Sequence, residues 1–121
     1  MTEQTTGVIA AMNDELRSRV GMPFFGTPAT PGGIYVTAGV NALPPEKQIE
    51  IWFLVRDFAD FTPENDPHGE RDFGSFDLDG AGKILWKIDY YADETMTYGS
   101  EDPSDPAQCF RALTIMLVTE Y

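Results

Sequence analysis

The chain has 121 residues, of which 42% are hydrophobic and 12% aromatic, and this length and composition can bury about two-thirds of the unfolded surface in one core. We therefore expect a single folded domain over residues 1–121 and not a disordered acidic tail. Twenty acidic residues against eight basic ones give a formal net charge of −12, which repels the phosphate backbone and disfavours direct nucleic-acid binding.

The sequence predicts a soluble protein of the cytoplasm. Its single cysteine, Cys109, excludes an internal disulfide and is expected to be a small buried side chain. Residues 1–15 lack the basic and apolar regions of a signal peptide, and no apolar run approaches the roughly 20 residues needed to span a bilayer.

The first half of the chain predicts a helix, a loop, a strand and a second helix. Apolar residues at helical spacing indicate an amphipathic helix over residues 6–19. Residues 21–33 contain three prolines and four glycines, which is typical of a flexible loop. Residues 34–40 are β-branched and aromatic and predict a strand, and the second helix is expected to begin at the prolines of residues 44–45 and to run to about residue 60. The apolar positions of the first helix are Ile9, Met12, Leu16 and Val20.

The second half predicts a β-hairpin and a last helix. Two strand-like runs, residues 73–78 and 83–91, are joined by the turn sequence DGAG. Asp105 before Pro106, with Gln108 three residues later, is the signature of a helix start. The residues that follow are apolar nearly all round, so we expect a central helix over 106–119.

These elements predict an α+β fold in the order helix, strand, helix, strand, strand, helix. Packing the helices on one face of a small antiparallel sheet is the natural way to bury their apolar sides.

The glycine-containing turn at residues 79–82 does not match the ligand-binding motifs that it resembles. A calcium loop counted from Asp77 would need an oxygen ligand at Ala81 and a glutamate at Ile88. A phosphate-binding loop would need a glycine at Asp77 and a serine or threonine at Ile84. A hairpin turn explains the same residues, and no cofactor is expected.

The segment ENDPHGERDFG, residues 64–74, is the best candidate for a chemical site. Asp66, His68, Glu70 and Asp72 alternate along it and could point to one side of an extended segment. Such a group could bind a divalent cation, or act in acid–base chemistry with a distant acid such as Asp89. The alternative is a solvated turn, since Asn and Asp before Pro and Gly favour turns.

A second candidate is an acidic surface. Residues 57–105 contain fourteen acidic and three basic residues, a net charge of −11. One stripe of the second helix is acidic around a central aromatic residue, which is typical of an interface for a basic partner. The alternative is that the aromatic residue packs under the first helix or the proline-rich loop. The stripe consists of Glu46, Glu50, Phe53, Asp57 and Asp60, and Ile51, Leu54, Val55 and Phe58 form the core side.

The proline-rich loop provides another apolar group. Met22, Phe24 and Phe25 could act as a further anchor for a partner or could cover the core.

The strings DFTPENDPHGERDFGSF, WKIDYY, GSEDPSDP and RALTIMLVTEY resemble a bacterial family known only as a domain of unknown function, number 3768. The likeness extends from residue 37 to Tyr121. The family often has Tyr at the position of His68 and His at that of Arg71, which weakens a metal role for His68. It has no assigned activity to transfer, and its members often lie on plasmids and integrative elements, which implies a role in mobile-element biology.

We therefore expect a non-enzymatic acidic protein that binds a basic, nucleic-acid-binding protein. A more specific form of this expectation is a DNA mimic that inhibits host defence on behalf of a mobile element. The expected contact residues are the stripe of the second helix together with Asp66, Glu70 and Asp72. The alternative is a small metal-dependent enzyme that uses Asp66, His68, Glu70 and Asp72. The sequence does not indicate an oligomeric state.

Overall fold

The computed structural model describes residues 3–22 and 29–121. Its elements follow the chain as α1 (Glu3–Arg17), β1 (Gly32–Val36), α2 (Ala38–Asn41), α3 (Pro45–Arg56), β2 (Phe73–Leu78), β3 (Gly82–Tyr91), β4 (Phe110–Leu117) and a final 3-10 turn (Val118–Glu120). The fold is α+β.

The four strands form one mixed sheet in the order β1-β4-β3-β2. β2 pairs with β3 and β3 with β4 in the antiparallel sense, whereas β1 pairs with β4 in parallel. The fully antiparallel sheet expected from the sequence is therefore wrong in one pairing. The parallel pair needs a long crossover connection, which α2, α3 and the hairpin between β1 and β4 provide.

The last helix expected over residues 106–119 is wrong, because residues 110–117 form β4. β4 lies between β1 and β3 and carries apolar residues on both of its faces, so it is apolar at almost every position, as a buried helix would be. The side chain of Asp105 accepts hydrogen bonds from the Ala107 amide and the Gln108 side chain, but these bonds close only a turn and are not those of the capping box that the sequence suggested.

The two longer helices lie close to their expected positions, with differences at the ends. α1 runs from Glu3 to Arg17, and its buried face includes Asn13, whereas Met12 is only half-buried. α3 ends at Arg56 and not near residue 60, and Leu54, assigned to the core side, is 39% exposed. The short helix α2 was not expected.

The hairpin of β2 and β3 is confirmed, with Phe73 paired to Lys87 and Leu78 to Gly82. Gly80 and Gly82 have φ angles of 84° and 80°, a conformation that other residues rarely adopt. The turn sequence thus has a conformational reason for its glycines.

The core lies between the helices and one face of the sheet. Its largest fully buried side chain is Trp86, which contacts the rings of Phe58 and Phe61 edge-on. The core cluster contains side chains from all three α-helices, from the turn after α1 and from strands β2, β3 and β4. Its buried residues are Leu16, Val20, Val40, Ile51, Val55, Leu78, Ile84, Trp86, Ile88, Leu113 and Ile115.

Part of the expected loop over residues 21–33 belongs to β1, which begins at Gly32. Met22 is 56% exposed, and Phe24 and Phe25 lie outside the described residues. Among the described helices, none has the length and apolar character required to cross a membrane.

Candidate binding surface

The α3 face is the part of α3 and its C-terminal cap that points to solvent around Phe53. The side chain of Phe53 is 53% exposed, and Glu46, Glu50 and Asp57 around it are exposed as well. Helix α1 and the rest of the described chain therefore leave Phe53 exposed, and residues 23–28 of the proline-rich loop, the other cover that the sequence left open, lie outside the described residues. Asp60 is exposed too, but it follows the end of the helix and is not held by helical spacing.

Arg56 holds the ring of Phe53 in place. Its guanidinium carbon lies 4.6 Å from the centre of the ring, and its Nη1 donates a 2.8 Å hydrogen bond to the carbonyl of Val20. An arginine stacked on an aromatic ring and bonded at its far end restricts the ring's rotamers. The exposed aromatic residue is therefore ordered before a partner arrives.

Two apolar residues that sequence reasoning did not place on this surface enlarge it. Ile49 is 46% exposed and lies four residues before Phe53, so the two share one side of the helix. Leu54 adds a further exposed side chain. The spacing of Ile49 and Phe53 was the signal that could have identified this apolar patch.

The acidic residues of the α3 face remain available for contacts. Lys47 approaches Glu50 at 3.7 Å, a loose pair, and Glu50 is 50% exposed. In the part of the chain that the structure describes, Glu46, Asp57 and Asp60 do not take part in any ion pair. Arg56 is the other positive charge here, and it is turned onto Phe53.

The loop between α3 and β2 is held by its own side chains. Asn65 and Thr62 exchange hydrogen bonds between side chain and backbone. Asp66 accepts a 3.1 Å bond from the amide of Arg71, whose φ angle is 56°. The Arg71 side chain in turn forms a 2.9 Å ion pair with Asp14 of α1.

Glu70 belongs to a buried polar network that the sequence did not reveal. Its carboxylate accepts a 2.9 Å bond from the hydroxyl of Tyr90, and its backbone carbonyl accepts one from Asn13. Asn13 also donates to the Tyr90 oxygen at 2.8 Å and accepts from Nε of Arg111 at 2.6 Å. Asn13 and Arg111 are fully buried, so this network joins α1, the loop, β3 and β4 in the interior.

Arg111 has unusual neighbours for a buried charge. Its Nη2 donates to the carbonyl of Pro103 at 2.6 Å, its Nη1 lies 3.2 Å from the sulfur of Cys109, and its guanidinium stacks on Tyr90. Burial lowers the pKa of Arg111 from its ordinary value and raises that of the Cys109 thiol. Cys109 is 2% exposed and is a structural side chain, not an activated nucleophile.

Burial also shifts the pKa values of Asp72 and Tyr90 from their ordinary values. Desolvation, and then the neighbouring Glu70, raise the pKa of Asp72. Desolvation also raises the pKa of the Tyr90 hydroxyl, which therefore remains a neutral hydrogen-bond donor. Asp66, Glu70 and Asp72 are half-buried, and Asp66 and Glu70 hold the loop, so we do not count the three in the α3 face.

The four residues of the metal alternative are not arranged as a ligand set. His68 is exposed, whereas Asp66 and Glu70 are occupied by Arg71 and Tyr90. Within residues 3–22 and 29–121, no group of three or more His, Cys, Asp or Glu side chains is placed to hold a metal ion. This geometry does not favour a metal-dependent reaction at the loop.

Comparison with known proteins bears on the resemblance seen in the sequence. No curated protein and no solved structure matches the chain. The model of one family, described as Protein of unknown function (DUF3768), matches residues 36–120, which is more than half of the chain. The chain therefore belongs to this family.

Proposed function

We propose that this chain is a non-enzymatic binding protein whose α3 face engages a positively charged protein. The observation that carries the proposal is the ordered, 53% exposed ring of Phe53 among exposed acidic residues. Exposed aromatic residues supply much of the affinity at protein interfaces, and the surrounding charge steers the encounter and selects the partner.

The chemistry of the α3 face favours a partner that combines a basic surface with an apolar pocket. Phe53 and Ile49 provide the apolar contact, and Glu46, Glu50 and Asp57 provide negative charge at its edge. Nucleic-acid-binding proteins present such basic surfaces, and an acidic protein competes for them through the electrostatic attraction that nucleic acid uses. The partner class that we propose is therefore a nucleic-acid-binding protein, with this chain acting as a DNA mimic that inhibits it.

A capture experiment with matched variants tests this proposal. The tagged chain is incubated with a lysate of its native host at about 50 mM and about 500 mM NaCl, and bound proteins are identified by mass spectrometry. Exposed charge pairs are screened by salt, so the partner should be retained at the lower concentration and released at the higher one.

The variants locate the contact. Glu50→Lys with Asp57→Lys should abolish capture, and Phe53→Ala should weaken it at least about tenfold, the loss expected at an aromatic anchor. The control is Glu94→Lys with Glu101→Lys, which makes the same charge change at two exposed positions outside α3. The proposal would be contradicted if Glu50→Lys with Asp57→Lys captured the same protein as strongly as the wild type does. It would also be contradicted if the wild type captured no basic protein.

A further inference from the structure

The sheet has a second face, opposite the core, which we call the outer face. Side chains alternate between the two faces of a strand. Ile84, Trp86 and Ile88 of β3 belong to the core cluster, so the residues between them point the other way. The outer face is represented by Tyr35 on β1, Leu85, Lys87, Asp89 and Tyr91 on β3, and Met116 on β4.

The outer face is apolar at its centre. Leu85 and Met116 are paired across β3 and β4 and are 7% and 4% exposed, although neither belongs to the core cluster. Tyr35 is 39% exposed, and its ring lies beside Gly33. A depression of about 450 Å³ lies on this face and is lined by Met116, Tyr91, Lys87 and Asp89, together with Glu120 and the exposed Tyr121 of the final turn. Aromatic residues and Met at the centre of a surface are typical of protein interfaces.

The outer face also carries little net charge in a strongly acidic chain. Asp77 and Lys83 form one loose ion pair at 3.6 Å, and Lys87 and Asp89 form another at 2.7 Å. Two of the three lysines of the chain lie here; with Asp77, Asp89 and Glu120, which lines the same depression, the charges sum to −1, whereas the whole chain carries −12. A basic partner would gain little from this surface, but a second acidic copy could approach it with little local repulsion.

We infer that two copies of this chain form a homodimer by stacking their outer faces. In this dimer the two-fold axis lies between the two sheets and crosses β3 at the level of Ile88. It places Lys87 of each copy opposite Asp89 of the other. Stacked sheets lie about 10 Å apart, a gap that Lys and Asp side chains facing each other can bridge. The interface is isologous, so one charge pair occurs twice.

This inference goes beyond the proposed function, because the α3 face lies on the other side of the sheet. Ile51 and Val55 of α3 pack into the core cluster together with Trp86. The dimer therefore leaves both copies of the α3 face open to solvent, and self-association and partner binding can be tested separately.

Charge exchange at the outer face tests the dimer. Sedimentation equilibrium is run on the wild type, on Lys87→Asp, on Asp89→Lys and on the variant with both changes, at about 100 μM, a concentration that detects micromolar dissociation constants. The wild type should be dimeric. Each single variant should be monomeric, with association at least about tenfold weaker, because like charges then face each other across the axis.

Mixing the two single variants gives the most specific result. Lys87→Asp and Asp89→Lys present opposite charges to each other, so an equimolar mixture should form heterodimers, and the variant with both changes should dimerise by itself. Tyr35→Asp, which adds a negative charge on β1 at the same face, should also be monomeric. Phe53→Asp, on the α3 face, should remain dimeric and is the control.

Circular dichroism melting confirms that each variant is folded; if one single variant fails to fold, Tyr35→Asp replaces it in the comparison. A wild type that stays monomeric at about 100 μM overturns the inference, whether or not the α3 face binds a basic protein. The inference is also overturned if both single variants and Tyr35→Asp dimerise as the wild type does, because the contact would then lie elsewhere.

Discussion

The side chain of Asn13 joins parts of the chain that lie 57, 77 and 98 residues away in sequence, through bonds to Glu70, Tyr90 and Arg111. Without the amide, the Glu70 carbonyl and the Nε of Arg111 would lose this partner, at a cost of about 1 to 3 kcal/mol where the group is buried, whereas the Tyr90 hydroxyl would keep its bond to Glu70. The sequence showed Asn13 only as a polar residue between apolar ones. Its partners depend on tertiary contacts, so a single sequence could not identify the network, although the position four residues after Ile9 placed Asn13 on the buried face.

Phe53 shows the opposite case. Its place in an acidic stripe was visible in the sequence, and the structure adds its exposure and the stacking of Arg56. Whether another element covers an aromatic residue depends on how distant parts of the chain pack, which periodicity within one helix does not reveal. The loop residues Asp66, Glu70 and Asp72 were assigned to the surface because they are charged, but their hydrogen bonds and burial show a structural role for Asp66 and Glu70.

Asp72 gives a pH prediction at the scale of one residue. Burial and Glu70 raise its pKa above the ordinary value of 3.8, so the folded state holds this proton more tightly than the unfolded state. The free energy of unfolding contributed by Asp72 therefore falls as the pH rises from 3.8 through the raised pKa. Asp72→Asn removes the cost of burying the charged carboxylate. We therefore expect this variant to melt at a higher temperature than the wild type at pH 7, and we expect the difference to disappear below pH 3.8.

Asp93→Asn is the control for this measurement, because its pKa is shifted in the opposite direction. The hydroxyl and then the amide of Thr95 donate hydrogen bonds to Asp93 and lower its pKa. Asp93→Asn should lower the melting temperature at pH 7, and the difference should be lost as the pH falls below 3.8. If calorimetry between pH 3 and pH 7 found the same sign for both variants, the assignment for Asp72 would be wrong.

At the scale of elements, Arg17 of α1 caps the C-terminus of α3. Arg17 of α1 donates from Nη1 to the carbonyls of Val55, Arg56 and Phe58 at 2.6 to 3.1 Å, at the C-terminus of α3. Arg56 of α3 donates to the carbonyl of Val20, just after α1. The last carbonyls of a helix lack partners within the helix and attract cations. Arg17 therefore stabilises the end of α3, and Arg56 holds the turn that follows α1.

Replacing Arg17 should therefore destabilise the fold by removing the cap. Arg17→Met keeps the aliphatic stem but leaves the three carbonyls without their donor, and we expect a loss of about 3 kcal/mol in the free energy of unfolding. Arg17→Lys should recover part of this loss, because an ammonium group can reach some but not all of the carbonyls. Urea unfolding provides the measurement.

Lys47→Met, on the surface of α3, is the matched control and should change the free energy of unfolding by no more than about 0.5 kcal/mol. Hydrogen exchange at the amides of the last turn of α3 should rise in Arg17→Met more than in the middle of β3, because the helix end loses its cap. A loss below about 1 kcal/mol for Arg17→Met would show that the capping bonds do not hold α3.

The elements also show where sequence reasoning failed. The alternating pattern of residues 83–91 and the glycine turn before it specified the hairpin, because local residues determine both. β4 carried no such local signal. It lies between two strands and has apolar residues on both of its faces, and a capping pattern at Asp105 favoured the helix that does not form.

In the whole molecule the strongly acidic surface and the nearly neutral surface are different surfaces. Residues 57–105 carry a net charge of −11, but the charges at the outer face of the sheet sum to −1. With the proposed dimer, two acidic α3 faces would lie on opposite sides of a nearly neutral interface. Each side of the dimer could then bind one basic partner. Net charge was evident from composition, but its separation by face required the strand register.

Salt should act on stability and on partner binding with opposite signs. The folded chain concentrates a charge of −12 that the unfolded chain spreads out. Raising NaCl from about 10 mM to about 150 mM shortens the Debye length from about 30 Å to about 8 Å. The described part of the chain has six ion pairs, and most of them are exposed, so each is worth about 1 kcal/mol or less. We therefore expect the relief of repulsion to prevail, with a higher melting temperature at the higher salt concentration.

The variant Glu64→Gln with Glu101→Gln checks the cause of this effect. Both residues are exposed and neither is in an ion pair, so their replacement removes repulsion without breaking a contact. The variant should melt above the wild type at about 10 mM NaCl, and the two melting temperatures should converge at about 150 mM, where screening already weakens the same repulsion. A wild-type melting temperature that fell as salt was added would mean that the ion pairs outweigh the repulsion. Binding at the α3 face should weaken over the same range, because there the screened charges attract.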